Sequence, residues 1–295
     1  MKKHLQNGFT LVELLVVISI IGMLSASLIV YVPGAIEAGR ALKCKTNLKS
    51  LAQAVSSYTI NRSGDDDAHM PTAGSYEWTS LDMSRDERGI WYHSSGAWVS
   101  WTPSGQWPYR SRDVSRRAEM TASIFFDKSK TDNDSKAFYS VTNGVLWSYV
   151  SKEANVYLCD THKKVLERQT GGRVRRSYVM NHYFGCDVTA DRAKRVDDVL
   201  QSGTAAILLL FAELPGQLGK TIGTSSTQAD SVLNPDSGET LGFNHKIGKK
   251  WIAHVAFADG HVEGLVQPKE ADLKELTTKL CDGVEIDAKI RSNMQ

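Results

Sequence analysis

The chain has 295 residues, 41% of them hydrophobic and 23% charged, with 7 Pro, a composition for one or two globular domains that excludes collagen-like and wholly disordered chains. Lys and Arg total 35 against 33 Asp and Glu, too even a balance for a surface that neutralises phosphates, so no nucleic-acid partner is expected. Four Cys, none in a C-x-x-C pair, are too few for a disulfide-built scaffold, and the fold must rest on a hydrophobic core.

Lys2, Lys3 and His4 precede an apolar stretch from Phe9 to Val32 whose one charged residue is Glu13, and Pro33-Gly34 closes it. As a helix this stretch is roughly 36 Å long, enough to cross a hydrocarbon core of about 30 Å. The pattern predicts one transmembrane segment at 9–32, with residues 1–8 cytoplasmic by the positive-inside rule and everything after Val32 extracytoplasmic. Three readings compete for it. Ser25-Ala26-Ser27 offers the small residues of a secretory cleavage site, which would start the exported chain at Leu28. A plain signal anchor is the second. Glu13 counts against both, because a carboxyl group in an apolar helix costs roughly 2.5–3.5 kcal/mol on insertion scales and asks for a partner.

Gly8-Phe9-Thr10-Leu11-Val12-Glu13, behind a short basic leader, closely resembles the processing site of type IV prepilins and type II secretion pseudopilins. The resemblance implies that a prepilin peptidase cuts between Gly8 and Phe9 and methylates the new amino group of Phe9. Asn7 stands where Lys is usual. Glycine suits the cut, since a residue without Cβ lets the scissile backbone enter a narrow site. The resemblance also gives Glu13 a role: its carboxylate would meet the Phe9 ammonium of a neighbouring subunit, pairing two charges that burial alone leaves costly. The expected partners are prepilin peptidase, other pilin-like subunits and an inner-membrane assembly platform.

Beyond Pro33 the apolar residues Ala41, Cys44, Leu48, Leu51, Val55 and Tyr58 recur at spacings of three and four, which predicts an amphipathic helix over 35–60. Pro33 lacks the amide hydrogen of a helix interior, so a kink is expected near it. Cys44-Lys45-Thr46-Asn47-Leu48-Lys49 is similar to a stretch in one bacterial subgroup of prepilin-type proteins, in which such a helix lies across a C-terminal sheet. Asn61 to Asp67 is a polar, acidic loop. It lacks the regular spacing of an EF-hand, so a solvated loop is preferred to a Ca²⁺ site.

Residues 76–110 hold Trp78, Trp91, Trp98, Trp101 and Trp107 among Gly, Ser and Pro. They read either as a local mini-core or as an aromatic platform for a glycan or protein partner. Val145–Val150 reads as a short amphipathic element, Val156–Asp160 and Arg176–Asn181 as strands, the apolar run within Thr204–Glu213 as a buried central strand, and Leu214–Asp236 as a long loop. Leu273, Leu276 and Leu280 suggest a closing helix.

Asp259-Gly260 between Trp251–Ala258 and His261–Gln267 predicts a hairpin with a two-residue type I′ turn. In that register Ala258 faces His261, and His254, His261 and Glu263 share one face. The unit from Phe257 to Glu263, with Asn244-His245 upstream, resembles the C-terminal signature of the same subgroup, which marks His245, Asp259, Gly260 and His261. Thirteen residues separate His245 from Asp259 here, four more than is usual, and the excess is expected to lengthen the Lys246–Lys250 loop. His245, His254, His261, Asp259 and Glu263 are metal-ligand types. Such sets are common by chance within one hairpin, and neither a metal nor another cofactor is expected. No G-x-S-x-G, H-E-x-x-H or P-loop gives an enzyme an anchor. In an oxidising compartment the four Cys allow three full pairings, of which Cys159 with Cys186 is preferred.

Together these readings give an α+β, pilin-like chain: leader 1–8, N-terminal helix 9–60, and an extracytoplasmic head 61–295 built on an antiparallel sheet. The expected function is that of a structural pseudopilin or pilin subunit of a type II secretion or type IV pilus-like fibre. It would be a non-enzymatic, single-pass protein of the bacterial inner membrane with its head in the periplasm. The alternative is a membrane-tethered binding protein that does not polymerise.

Overall fold

A computed structural model of the chain describes residues 10–62, 69–73, 98–99, 141, 144–170, 176–184, 194–201, 203–215 and 232–294. Gly8, Phe9, Trp78, Trp91, Trp101, Trp107, Cys186 and most of the acidic loop lie outside the described residues.

The N-terminal helix α1 runs over Leu11–Arg62 with Pro33 inside it. Its axis turns by 43° between the segments Leu11–Ala26 and Tyr31–Asn61. Pro33 offers no N–H to the carbonyl of Ile29, one turn back and inside the break, and its ring crowds that carbonyl, so the turn falls just before the proline. No single helix among the described residues is long and apolar enough to cross a membrane, but the two segments of this bent pair together are, by length and composition.

The stripe read from the sequence is the buried face of α1. Ala41, Cys44, Leu48, Leu51, Val55 and Tyr58 are each at most 4% exposed. Full burial of a Leu side chain contributes roughly 1.5–3 kcal/mol, so Leu48 and Leu51 alone hold this half firmly on the head.

Among the described residues the head holds a six-stranded sheet: β1 Tyr178–Asn181, β2 Leu209–Glu213, β3 Val232–Leu233, β4 His245–Ile247, β5 Lys250–Phe257 and β6 Val262–Val266. The order is β3-β1-β2-β5-β4, with β6 also on β5. All pairings are antiparallel except β1 with β3. Strand β6 covers Ile252–Ala256 along one edge of β5. Strands β2 and β4 must therefore share the other edge end to end, β2 against Val255–Phe257 and β4 against Lys250–Ile252. Glu213 ends one of these strands and His245 begins the other.

Core residues lie on both faces of the sheet. On one face α1 packs with Tyr178, Met180, Phe211 and Ala256. On the other, Val179, Ala253, Val255 and Leu265 meet Leu276, Leu280 and Ile290 of the closing helices α4, Leu273–Cys281, and α5, Ala288–Asn293. Two further described helices, α2 Asp160–Thr170 and α3 Val196–Gln201, precede β2.

Several expectations need correction. Val156–Asp160 is not a strand: a 3-10 turn covers Ala154–Tyr157 and α2 starts at Asp160. Trp98 is no part of an exposed platform. It is fully buried, 5.0 Å from the Phe211 ring and stacked at 6.0 Å on Tyr157, with the Arg176 guanidinium over it. The C-terminal hairpin is shifted by one residue. His254 faces Gly264, and Phe257 N–H donates to His261 O while Gly260 N–H donates to Phe257 O. Only Gly260 within the turn has positive φ, at 86°, so the loop is the three-residue form with a left-handed Gly. The shift puts His254 and His261 on opposite faces. His261 instead stacks at 4.3 Å on Phe257. The residues after His245 form no lengthened loop either, since β4 turns into β5 through Gly248-Lys249, with Ile247 paired to Lys250.

Candidate functional site

Two parts of α1 carry polar groups in apolar surroundings. At its start Thr10 and Glu13 form a reciprocal cap. Glu13 N–H donates to Thr10 Oγ1 at 3.2 Å, and the Glu13 carboxylate accepts from Thr10 N–H and Oγ1–H, both at 2.8 Å. This is the Thr-x-x-Glu capping box, which satisfies two amides that the first helical turn leaves without partners. The apolar residues behind it are open. Leu11, Met23 and Ile29 are exposed by 80%, 76% and 74%, which asks for a lipid or helical environment.

The second part is buried between α1 and the sheet, where the β2–β4 gap opens. Gly242 allows it, because a Cβ there would run into the backbone carbonyl of Leu214. Asn244 next to it donates from Nδ2 to Glu213 Oε2 at 2.9 Å and to the Leu214 carbonyl at 2.9 Å. Glu213 closes an apolar strand and is wholly buried. Its Oε1 accepts from the Cys44 thiol at 2.9 Å and from His254 N–H at 3.0 Å, and lies 2.8 Å from His254 Nδ1 and 3.4 Å from His245 Nε2. His245 Nε2 is also 3.3 Å from Cys159 Sγ. On the far side of its ring, His245 Nδ1 lies 2.8 Å from Glu37 Oε1, which also accepts from Thr161 Oγ1 at 2.7 Å. Tyr178 donates its hydroxyl to Cys44 Sγ at 3.2 Å.

The cluster settles its own charges. Burial works against an ionised Glu213, but hydrogen bonds to His245 and His254 outweigh it and hold the carboxyl well below the usual range. Burial likewise opposes a charged His245, yet its contacts with Cys159 and Glu213 carry it up to about 11. Desolvation and the contacts with Cys159 and Glu213 push the Cys44 thiol up. Cys159 goes down, because contacts with Cys44 and His245 overcome its burial. Cys44, Cys159, Glu213 and His245 each turn one ligand atom inward, all within 4.8 Å of one another.

The site residues named from the sequence are thus distributed. His245 and Cys159 enter the cluster, joined at its rim by His254. Asp259 and His261 form a separate pair 2.6 Å apart at the exposed turn, and the Gly260 carbonyl accepts from Lys49 of α1 at 2.7 Å. Cys159 holds a free thiol facing His245 in place of the expected bridge to Cys186, which lies outside the described residues. Sequence reasoning missed Glu37, Glu213 and the convergence of Cys44 with Cys159. One signal was available: a carboxylate at the end of the run Leu208–Glu213 has to find a partner if that run is buried.

Residues 3–29 match the family model for the prokaryotic N-terminal methylation motif. No curated protein and no solved structure matches the chain. The matched residues span the basic leader, the Gly8-Phe9 pair and the capped, exposed half of α1. With the motif in place ahead of a long helix on an α+β head, the chain carries a prepilin-type methylation signal and is consistent with the type IV pilin-like and pseudopilin family.

Proposed function

We propose that the chain is a structural subunit of a type II secretion pseudopilus or a type IV pilus-like fibre, drawn from the bacterial inner membrane with its head in the periplasm. Prepilin peptidase cuts between Gly8 and Phe9 and methylates the Phe9 amine. The observation that carries this reading is the methylation motif at 3–29 running into a helix half whose large apolar side chains stay exposed. Such a surface is served first by lipid and then by the helices of neighbouring subunits. Cleavage creates an ammonium at Phe9, and the Glu13 carboxylate of an adjoining subunit pairs with it inside the bundle, where neither charge could stay alone. The chain is a substrate of processing and scaffolding for the fibre; it has no catalytic role of its own.

Mass spectrometry of the mature N-terminus is the test. N-methyl-Phe9 is expected, and a chain starting at Leu28 overturns the reading. Glu13→Ala then separates a fibre subunit from a tethered binder: the subunit stays anchored but loses crosslinking to its neighbours, whereas a binder that never polymerises is unaffected.

A further inference from the structure

We propose that Cys44, Cys159, Glu213 and His245 form a closed zinc site that fastens α1 to the sheet. Two sulfurs, one imidazole nitrogen and one carboxylate oxygen are the ligand set of a four-coordinate Zn²⁺ site, and thiolate with imidazole favours zinc over the oxygen-seeking Ca²⁺ and Mg²⁺. The distances fit. With bonds of about 2.3 Å to sulfur and 2.0–2.2 Å to nitrogen or oxygen, the edges of a tetrahedron are roughly 3.3–3.8 Å. His245 Nε2 already lies 3.3 Å from Cys159 Sγ and 3.4 Å from Glu213 Oε1. The Cys44 Sγ to Glu213 Oε1 distance of 2.9 Å opens by about half an ångström to reach such an edge.

The surroundings are those a metal site requires. His245 points Nε2 inward while Glu37 holds Nδ1 at 2.8 Å, the carboxylate–histidine arrangement that fixes ring orientation and strengthens the ligand. Glu213 Oε2 is held by Asn244 and Oε1 by His254. All four ligands are buried and come from α1, the segment before α2, β2 and β4, so one ion would join four stretches of chain. A Cys44–Cys159 disulfide uses neither His245 nor Glu213 and takes from both the thiol they now contact. Binding sends to solvent the Cys44 thiol proton and the proton held between Cys159 Sγ and His245 Nε2, and no electron moves.

The test is elemental analysis and zinc-edge X-ray absorption on the full chain, purified in detergent without chelator. One zinc per chain is expected, with two sulfurs at about 2.3 Å and two lighter ligands at about 2.0–2.2 Å. Cys44→Ser and Cys159→Ser lose the ion, while Cys281→Ser, at a buried thiol elsewhere, keeps it. Glu37→Gln retains the two-sulfur shell and weakens zinc about 10- to 100-fold, a change that loss of packing alone would not give. Because the cysteine variants could misfold, the wild-type spectrum decides. A zinc-free chain, a shell without sulfur, or a Cys44–Cys159 disulfide on non-reducing peptide mapping overturns the proposal. None of these outcomes touches the processing of Phe9.

Discussion

The two halves of α1 belong to one helix and live in different surroundings. From Leu11 to Val32 large apolar side chains stand exposed all round, Leu11 by 80% and Tyr31 by 76%. From Ala41 to Tyr58 the buried apolar residues keep to one stripe, while Leu42 off the stripe is 66% exposed. A helix that is apolar on every side needs apolar surroundings on every side; one with a single stripe needs one partner face. The contrast extends to the polar groups. Glu13 is satisfied by its own first turn through Thr10, whereas Glu37 and Cys44 reach across to β4 and β2.

The sharpest way to break this comparison is to remove the same side chain from each half. Leu48→Ala leaves a cavity under the fully buried part of α1 and is expected to destabilise the head by about 2–5 kcal/mol. Leu15→Ala removes a side chain 56% exposed in the chain alone, and is expected to move head stability by no more than about 0.5 kcal/mol. Denaturant unfolding in detergent measures both, and equal losses would refute the division of labour. A smaller effect is expected at Asn47. It lies beside the stripe and donates from Nδ2 to the carbonyls of Asn155 and Leu158, at 3.1 and 2.8 Å. Asn47→Ala takes that donor from the buried Leu158 carbonyl and the part-buried Asn155 carbonyl and costs about 1–3 kcal/mol.

How much of this was legible follows from range. The α1 stripe, strand β2 and helix α4 show in the sequence because their periodicity is local. Strand β2 sits at the centre of the sheet, between β1 and β5, as its unbroken apolar run implies. The buried Cys-Glu-His cluster was hidden because Cys44, Cys159, Glu213 and His245 share no local spacing; a strand gap and a helix face bring them together. Trp98 shows the same limit from the other side. In the sequence it is one of five tryptophans in a Gly- and Ser-rich stretch, and only contact with Phe211 and Tyr157 reveals it as core.

The hairpin turn is the subtler case and supplies the third prediction. Asp-Gly suits both a two-residue turn with two positive φ angles and a three-residue turn with one. Tertiary contacts favour the second: Ala258 N–H donates to Leu208 O, Asp259 N–H to Ala205 O, and Lys49 to Gly260 O. These bonds fit a loop that starts at Ala258, so the neighbouring chain and not the dipeptide sets the register. Gly260→Ala places a Cβ at a φ of 86° and is expected to cost roughly 1–2 kcal/mol. Gly260→Asn should cost less, because Asn tolerates the left-handed region. A larger loss for Asn than for Ala in thermal unfolding would mean that space and not φ is limiting, although no heavy atom lies within 4 Å of the added Cβ.

The smallest effect is expected where α1 touches the head through charge alone. Lys43 Nζ and Asp160 Oδ2 are 3.0 Å apart, with side chains 49% and 37% exposed. Water screens such a pair, and holding two side chains in one geometry costs entropy, so Asp160→Asn is expected to lose only about 0.2–1 kcal/mol, falling further with added salt. Lys43 lies next to Cys44 but off the buried stripe. Were the helix held on the head by its charged flank, this substitution would rival Leu48→Ala and respond strongly to ionic strength. If burial and the Cys44 cluster hold it, the unfolding midpoint of the Asp160→Asn chain stays close to wild type at every salt concentration.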